Sequence, residues 1–103
     1  MTTQPQQRQT RKSGYAQRLR ECRMHMYSEL VDLLPALTPP LTGTLIGGAD
    51  LLRVTNPSNG RSTVVMTTEV QNRAGRAWGY FWQNGGHAWT AEDAAFLLAR
   101  WLR

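Results

Sequence analysis

Residues 77–90 read AWGYFWQNGGHAWT and form the densest aromatic stretch of the chain. They hold five of the nine aromatic side chains, which are Trp78, Tyr80, Phe81, Trp82 and Trp89. Asn84-Gly85, in the middle, favours a two-residue type I′ turn, because both residues tolerate the positive φ that this turn needs. The stretch therefore predicts a hairpin made of a strand over 76–83 and a short return strand over 87–89.

The predicted strand over 76–83 has two unequal faces. Alternation places Trp78, Tyr80 and Trp82 on one face and Phe81 on the other. Three large aromatics at this spacing are typical of a face that packs in a core, so we expect helices to cover them. The alternative leaves the three side chains exposed, as a platform that binds a partner protein or stacks on bases.

Two further strands precede the hairpin. Residues 51–56 alternate between apolar and polar side chains, and residues 62–71 are rich in Val and Thr, which favour strands. Turn-forming residues follow each strand, at 56–60 and at 72–75. Together with a short edge strand over 44–46, these segments predict an antiparallel meander of three or four strands.

A long helix comes before the sheet. Between residues 15 and 33, apolar side chains recur at intervals of three and four, which is the spacing of one helical face. Ser13 is the expected N-cap, and Pro35 followed by Pro39-Pro40 ends the helix. Because this rod is long for a small domain, we expect its second half to pack on the core. The first half, residues 15–23, is expected to project or to pair with another copy.

The last predicted element is a C-terminal helix, which its capping residues and its apolar spacing both indicate. Thr90 is a natural N-cap, and Asp93 lies in the position of a capping box. One face of the helix carries Ala91, Ala94, Ala95, Leu98, Trp101 and Leu102. The aromatic face of the hairpin is expected to meet Trp101, Phe96 or Leu98.

These elements define an α+β fold with a long N-terminal helix, a three- to four-stranded antiparallel meander and a C-terminal helix packed on the sheet. Residues 14–103 are expected to form a single α-β-β-β-(β)-α domain. Residues 1–13 are rich in Gln, Thr and Arg and lack apolar periodicity, so we expect a disordered basic arm there.

Positive charge is concentrated at the start of the chain. The formal net charge is +5, and basic residues outnumber acidic ones only within residues 1–26. Such a segment is expected to meet nucleic acid, an anionic membrane or an acidic protein, or simply to favour solubility. The candidate nucleic-acid-binding side chains are Arg8, Arg11, Lys12, Arg18, Arg20 and Arg23.

No residue pattern indicates catalysis or metal binding. The single cysteine, Cys22, and the two histidines, His25 and His87, show no metal-ligand spacing. The glycine pairs 47–48 and 85–86 belong to turns and not to phosphate-binding loops. We therefore predict a protein without enzymatic activity, catalytic residues, metal or cofactor. One cysteine and no apolar run long enough to span a membrane favour a cytoplasmic location.

Three stretches of the second half carry a recognisable order. They are Leu52-x-Val54-x-Asn56-Pro57, Trp78-x-Tyr80-Phe81-Trp82, and Ala91-x-Asp93 leading into an Ala-rich helix that ends in Trp101-Leu102. This order, over residues 51–102, resembles small actinobacterial proteins of unknown function that commonly show V-x-N-P, W-x-F-W-W and P-A-x-D. Such proteins are often encoded beside helix-turn-helix regulators, so the resemblance implies a regulatory or accessory role and no catalytic residue. The chain departs from the pattern at Gly79-Tyr80, where tryptophans are denser, and at Ala91, where proline is frequent.

Together these features favour a non-enzymatic interaction or regulatory protein of the adaptor type, acting as a homodimer or on a protein partner. The helix–sheet–helix order is also similar to that of small dimeric secretion chaperones. The candidate partner-binding side chains are Tyr15, Leu19, Trp78, Tyr80 and Trp82. The alternative is a nucleic-acid-binding accessory protein that uses the basic arm and helix. No small-molecule ligand is predicted, because the aromatic face has no polar anchor.

Overall fold

The fold is described from a computed structural model that assigns secondary structure to residues 3–103 and places the side chains of residues 14–103. The first helix runs from Thr3 to Leu33 and includes Ser13, so the expected N-cap at Ser13 is wrong. The expected disordered arm of residues 1–13 lies outside the residues whose side chains are described. Contacts and burial are therefore given for residues 14–103.

A five-stranded antiparallel sheet lies between two helices in sequence, and the two helices contact each other in space. The elements are α1 (Thr3–Leu33), a short 3-10 turn (Leu34–Ala36), β1 (Thr42–Ile46), β2 (Leu51–Thr55), β3 (Ser62–Asn72), β4 (Gly75–Trp82), β5 (Gly86–Ala88) and α2 (Ala91–Trp101). The α+β class and the order of elements agree with the sequence prediction. The expected three or four strands are corrected to five, because the segments at 42–46 and 86–88 both pair along their whole length.

The sheet is a meander in which each strand pairs with its neighbour in sequence, in the order β1-β2-β3-β4-β5. The long strand β3 divides its pairing between two neighbours. Residues 62–65 pair with β2, and residues 66–72 pair with β4. The inward side chains of β2 and β3 include Leu52, Val54 and Val65, which are buried as the alternation predicts.

The second half of α1 packs on the core, as expected. Tyr27, Leu30 and Leu34 are buried, and Pro35 lies in the 3-10 turn directly after the helix. Toward the start of the part with described side chains, Tyr15 is 56% exposed, which agrees both with projection of the first half and with its pairing with another copy. The apolar spacing of the helix thus continues beyond the surface that the sheet covers.

The aromatic hairpin is largely part of the core. Tyr80 is 1% exposed and Trp82 is 9% exposed, so both are covered as the favoured interpretation predicted. Asn84 and Gly85 do adopt positive φ values of 62° and 77°. The turn is nevertheless longer than the predicted two residues, since the register pairs Trp82 with Gly86 and leaves three residues between them.

The helix α2 begins where the sequence indicates. The Thr90 side chain accepts a hydrogen bond from the Asp93 backbone N–H at 3.1 Å, which confirms the N-cap. The buried face of α2 consists of small residues and Leu98, whereas Phe96 is 59% exposed and Trp101 is 37% exposed. The expected contact of α2 with the aromatic face is therefore provided by Leu98, which is buried in the same core cluster as Tyr80 and Trp82, and not by the exposed Phe96. Tyr80 and Trp82 already fill the interior, so alanines suit the face of α2 that lies over them.

Candidate partner-binding surface

The five side chains predicted to bind a partner do not form one surface. Tyr80 and Trp82 lie in the core of the chain and present almost no area to a partner. Trp78 and Leu19 are half-buried, and Tyr15 is exposed on the first half of α1. The open platform of Trp78, Tyr80 and Trp82 is therefore absent from this fold, and those residues act mainly in packing.

Tyr80 has a specific structural role between the sheet and α1. Its hydroxyl donates a hydrogen bond to the backbone carbonyl of Met26 at 2.8 Å. Burial raises the pKa of Tyr80 to about 12, and the nearby negative charges of Glu29 and Glu92 raise it as well. The phenol therefore remains protonated at neutral pH and serves as a fixed donor to the helix backbone.

A different group of large side chains is exposed on the outer side of α2. Phe96, Leu97 and Trp101 are spaced so that they share one helical face, opposite the alanine face that packs inward. Trp89, just before α2, is also exposed and continues this face toward β5. We call the set Trp89, Phe96, Leu97, Arg100 and Trp101 the aromatic surface.

Two shallow depressions connect the members of the aromatic surface. One has a volume of ≈ 470 Å³ and includes Trp82, His87, Leu97, Arg100 and Trp101 in its lining. The other, of ≈ 290 Å³, lies around Trp89 and Phe96. His87 and Leu97 line both depressions, so the concave surface is continuous from one end of α2 to the other.

Trp89 is held in a defined position by the outer face of the sheet. A Cβ atom at Gly79 would lie 2.9 Å from the Trp89 ring, so the absence of a side chain at this position lets the indole approach the strand. Phe81 meets Trp89 edge to face with the ring centroids 5.9 Å apart. A bound partner would therefore meet an indole whose orientation is already restricted.

Charge is unevenly distributed along the aromatic surface. Glu92 and Asp93 lie in the first turn of α2, and Arg100 lies in the last turn. The Arg100 guanidinium lies over the Phe96 ring, 5.8 Å from its centroid. Arg61 donates a hydrogen bond to the backbone carbonyl of Arg103 just beyond this end of the helix. The aromatic surface is thus acidic near Trp89 and basic near Trp101.

The sequence contained a usable signal for this surface. Leu97 and Trp101 are four residues apart and so share one side of the helix, with Phe96 beside them, whereas Ala91, Ala94, Ala95 and Leu98 follow the spacing of another side. Two apolar faces on one terminal helix exceed what a single sheet can cover. The sequence interpretation placed Trp101 on the alanine face and offered Phe96 as one of three alternative contacts of the hairpin, so it did not identify this surface.

The structure separates the candidate nucleic-acid-binding residues. Arg18 and Arg20 are exposed on α1. Arg23 instead forms an ion pair with Asp50, with Nη1 and Oδ1 separated by 3.3 Å. The predicted sites at 8, 11 and 12 lie outside the residues whose side chains are described.

The described residues also bear on metals and membranes. Within that part of the chain, no three or more His, Cys, Asp or Glu side chains come together in a way that could hold a metal ion. None of the helix segments described is long and apolar enough to cross a membrane. A groove of ≈ 460 Å³ lies between α1 and β1, lined mainly by apolar side chains such as Met24, Val31 and Leu45.

Comparisons with known proteins leave the chain without a match. No protein-family model matches the sequence, and neither a curated protein nor a solved structure is significantly similar to it. The function must therefore be inferred from the surface of the molecule itself.

Proposed function

We propose that this protein is a non-enzymatic interaction protein of the adaptor type that binds a protein partner through the aromatic surface. The proposal is supported by the exposure of Trp89, Phe96 and Trp101 around the two adjoining depressions, which together form one continuous concave surface. Tryptophan and arginine are enriched among the residues that dominate binding energy in protein interfaces. The regulatory or accessory role implied by the resemblance to small actinobacterial proteins belongs to the same proposal.

The charges of the aromatic surface define the kind of partner. A segment that places apolar side chains in the depression would bring its neighbouring residues against Arg100, which lines the same depression. A carboxylate at that position forms charge-assisted hydrogen bonds with a guanidinium. The proposed partner therefore carries a segment in which apolar side chains adjoin an Asp or Glu.

Selection from a displayed peptide library tests this function, because a random library requires no candidate partner. The wild-type protein is expected to enrich peptides in which apolar residues adjoin an acidic residue. Trp101→Ala and Phe96→Ala should each weaken their binding by about 30-fold, the usual effect of removing a dominant interface residue. Arg100→Ala should weaken the binding of acidic peptides. It should leave unchanged the binding of the same peptides with Asn or Gln in place of Asp or Glu.

Leu45→Ala is the matched control, because Leu45 is comparably exposed but lies on β1 at the opposite edge of the sheet. It should bind the selected peptides as the wild type does. The proposal is contradicted if no peptides are enriched, or if the enriched peptides bind Trp101→Ala and Phe96→Ala with unchanged affinity.

A further inference from the structure

Helix α1 carries an exposed line of side chains that the other residues with described side chains leave uncovered. Tyr15, Cys22 and Glu29 are all exposed and are spaced seven residues apart, which places them nearly above one another on a helix. Their side of α1 differs from the face of Tyr27, Leu30 and Leu34 that packs in the core. The line therefore remains available for contact.

The two ends of this line carry opposite charge. Arg18 lies one turn from Tyr15 and is exposed. At the other end lies Glu29, which is exposed and close enough to Tyr80 for its negative charge to raise the pKa of that phenol. His25 contacts Glu29, with Nε2 and Oε1 separated by 2.6 Å, and both side chains remain largely exposed. One end of the line thus attracts carboxylates and the other attracts cations.

These complementary ends cannot meet within one chain. Arg18 and Glu29 are eleven residues apart on a single helix. At about 1.5 Å per residue, this separation is about 16 Å along the axis. Only another molecule can bring a basic end to the acidic end, and a second copy of the same chain carries both ends in the required spacing.

We propose that α1 pairs with α1 of a second copy in antiparallel orientation, about a twofold axis near Cys22. This arrangement places Tyr15 and Arg18 of each copy beside Glu29 of the partner subunit, twice by symmetry. It uses a surface separate from the aromatic surface and so extends the proposed function, leaving two partner-binding surfaces in each dimer. Because one helix face buries little area, the dimer is weak and sensitive to salt.

Charge reversal and equilibrium sedimentation test the pairing. Arg18→Glu and Glu29→Arg should each weaken self-association about tenfold at low salt, because each places like charges together. An equimolar mixture of the two variants should associate as the wild type does, since each then supplies the charge that the other needs. Arg20→Glu is the matched control, because it makes the same charge change on another side of α1.

Cross-linking reports the position of the axis. A short bismaleimide should join the wild-type chains through Cys22, and the yield should fall in Arg18→Glu and vanish in Cys22→Ser. A wild type that is monomeric at all concentrations overturns the proposal, and so does a dimer that both charge reversals leave unchanged. Salt-sensitive binding of an oligonucleotide that Arg18→Glu and Arg20→Glu weaken equally, without self-association, would assign these arginines to nucleic acid instead. The peptide selection above does not depend on any of these results.

Discussion

The Tyr27 hydroxyl lies near the point where β3 stops pairing with β2 and begins to pair with β4. It donates to the backbone carbonyl of Asp50 at 2.7 Å and accepts from the backbone N–H of Thr67 at 3.1 Å. The pairing of β2 with β3 ends at Val65, so the Thr67 amide lies beyond the reach of β2. A side chain from α1 thus satisfies a strand donor that has no neighbouring strand on that side.

Tyr27→Phe should destabilise the protein without disturbing its shape. Removal of the hydroxyl leaves the buried Thr67 amide without its acceptor, which costs about 1–3 kcal/mol. Urea denaturation should therefore show a lower free energy of unfolding with an unchanged slope. Tyr15→Phe is the control, because Tyr15 is exposed and removal of its hydroxyl should leave the free energy of unfolding unchanged. Equal stability of the two variants would contradict the assigned role of the Tyr27 hydroxyl.

At the scale of elements, the turn after β2 closes the end of α2. Asn56 is buried and donates to the carbonyl of Leu102 at 2.9 Å, while its side-chain oxygen accepts from the Ser58 N–H at 2.9 Å. Asn59 donates to the same carbonyl at 3.0 Å from a more exposed position. The Asn-Pro stretch quoted in the sequence resemblance therefore has a structural function, which is to cap the last turn of the terminal helix.

Asn56→Ala and Asn59→Ala should differ in their effects. Asn56→Ala removes a buried donor and a buried acceptor together, so we expect a loss of about 2–3 kcal/mol in the free energy of unfolding. Asn59→Ala should cost less than about 1 kcal/mol, because Asn56 still satisfies the Leu102 carbonyl. Thermal and urea unfolding of the two variants would measure this difference. Similar losses of stability would contradict the idea that the burial of Asn56 makes its hydrogen bonds the more stabilising ones.

The elements were more predictable than the way they face each other. Local signals such as the Thr90 cap, the prolines after α1 and the alternation in β2 act within a few residues, and the structure agrees with them. The orientation of α2 depends on volume already occupied by Tyr80 and Trp82, which lie close to it in space but not in sequence. The spacing of side chains along α2 shows which of them share a face but not which way that face points, and for this reason the exposure of Phe96 could not be predicted.

At the scale of the whole molecule, stability should depend on alkaline pH through Tyr80. Because its pKa is raised from 10.0 to about 12 in the folded state, the folded chain holds this proton more tightly than the unfolded chain. The stabilisation is complete below pH 10 and is lost as the pH rises toward 12. A shift of this size corresponds to about 3 kcal/mol.

Urea unfolding at about pH 9 and about pH 11 would reveal this loss. Tyr80→Phe should be less stable at the lower pH, because it lacks the bond to the Met26 carbonyl, but its stability should fall less between the two values. If the wild type and Tyr80→Phe lose equal stability over this interval, another group titrates and the assignment to Tyr80 is wrong.

The meander also has a consequence for how the chain reaches its fold. Every strand pairs with the strand next to it in sequence, so each hairpin closes a short loop at small entropic cost. The hydrogen bonds that hold the helices to the sheet join residues far apart in sequence. Tyr80 bonds to Met26, 54 residues earlier, and Asn56 bonds to Leu102, 46 residues later. The sheet can therefore assemble early from local contacts, whereas docking of the two terminal helices requires distant parts of the chain to meet and governs the later stage of folding.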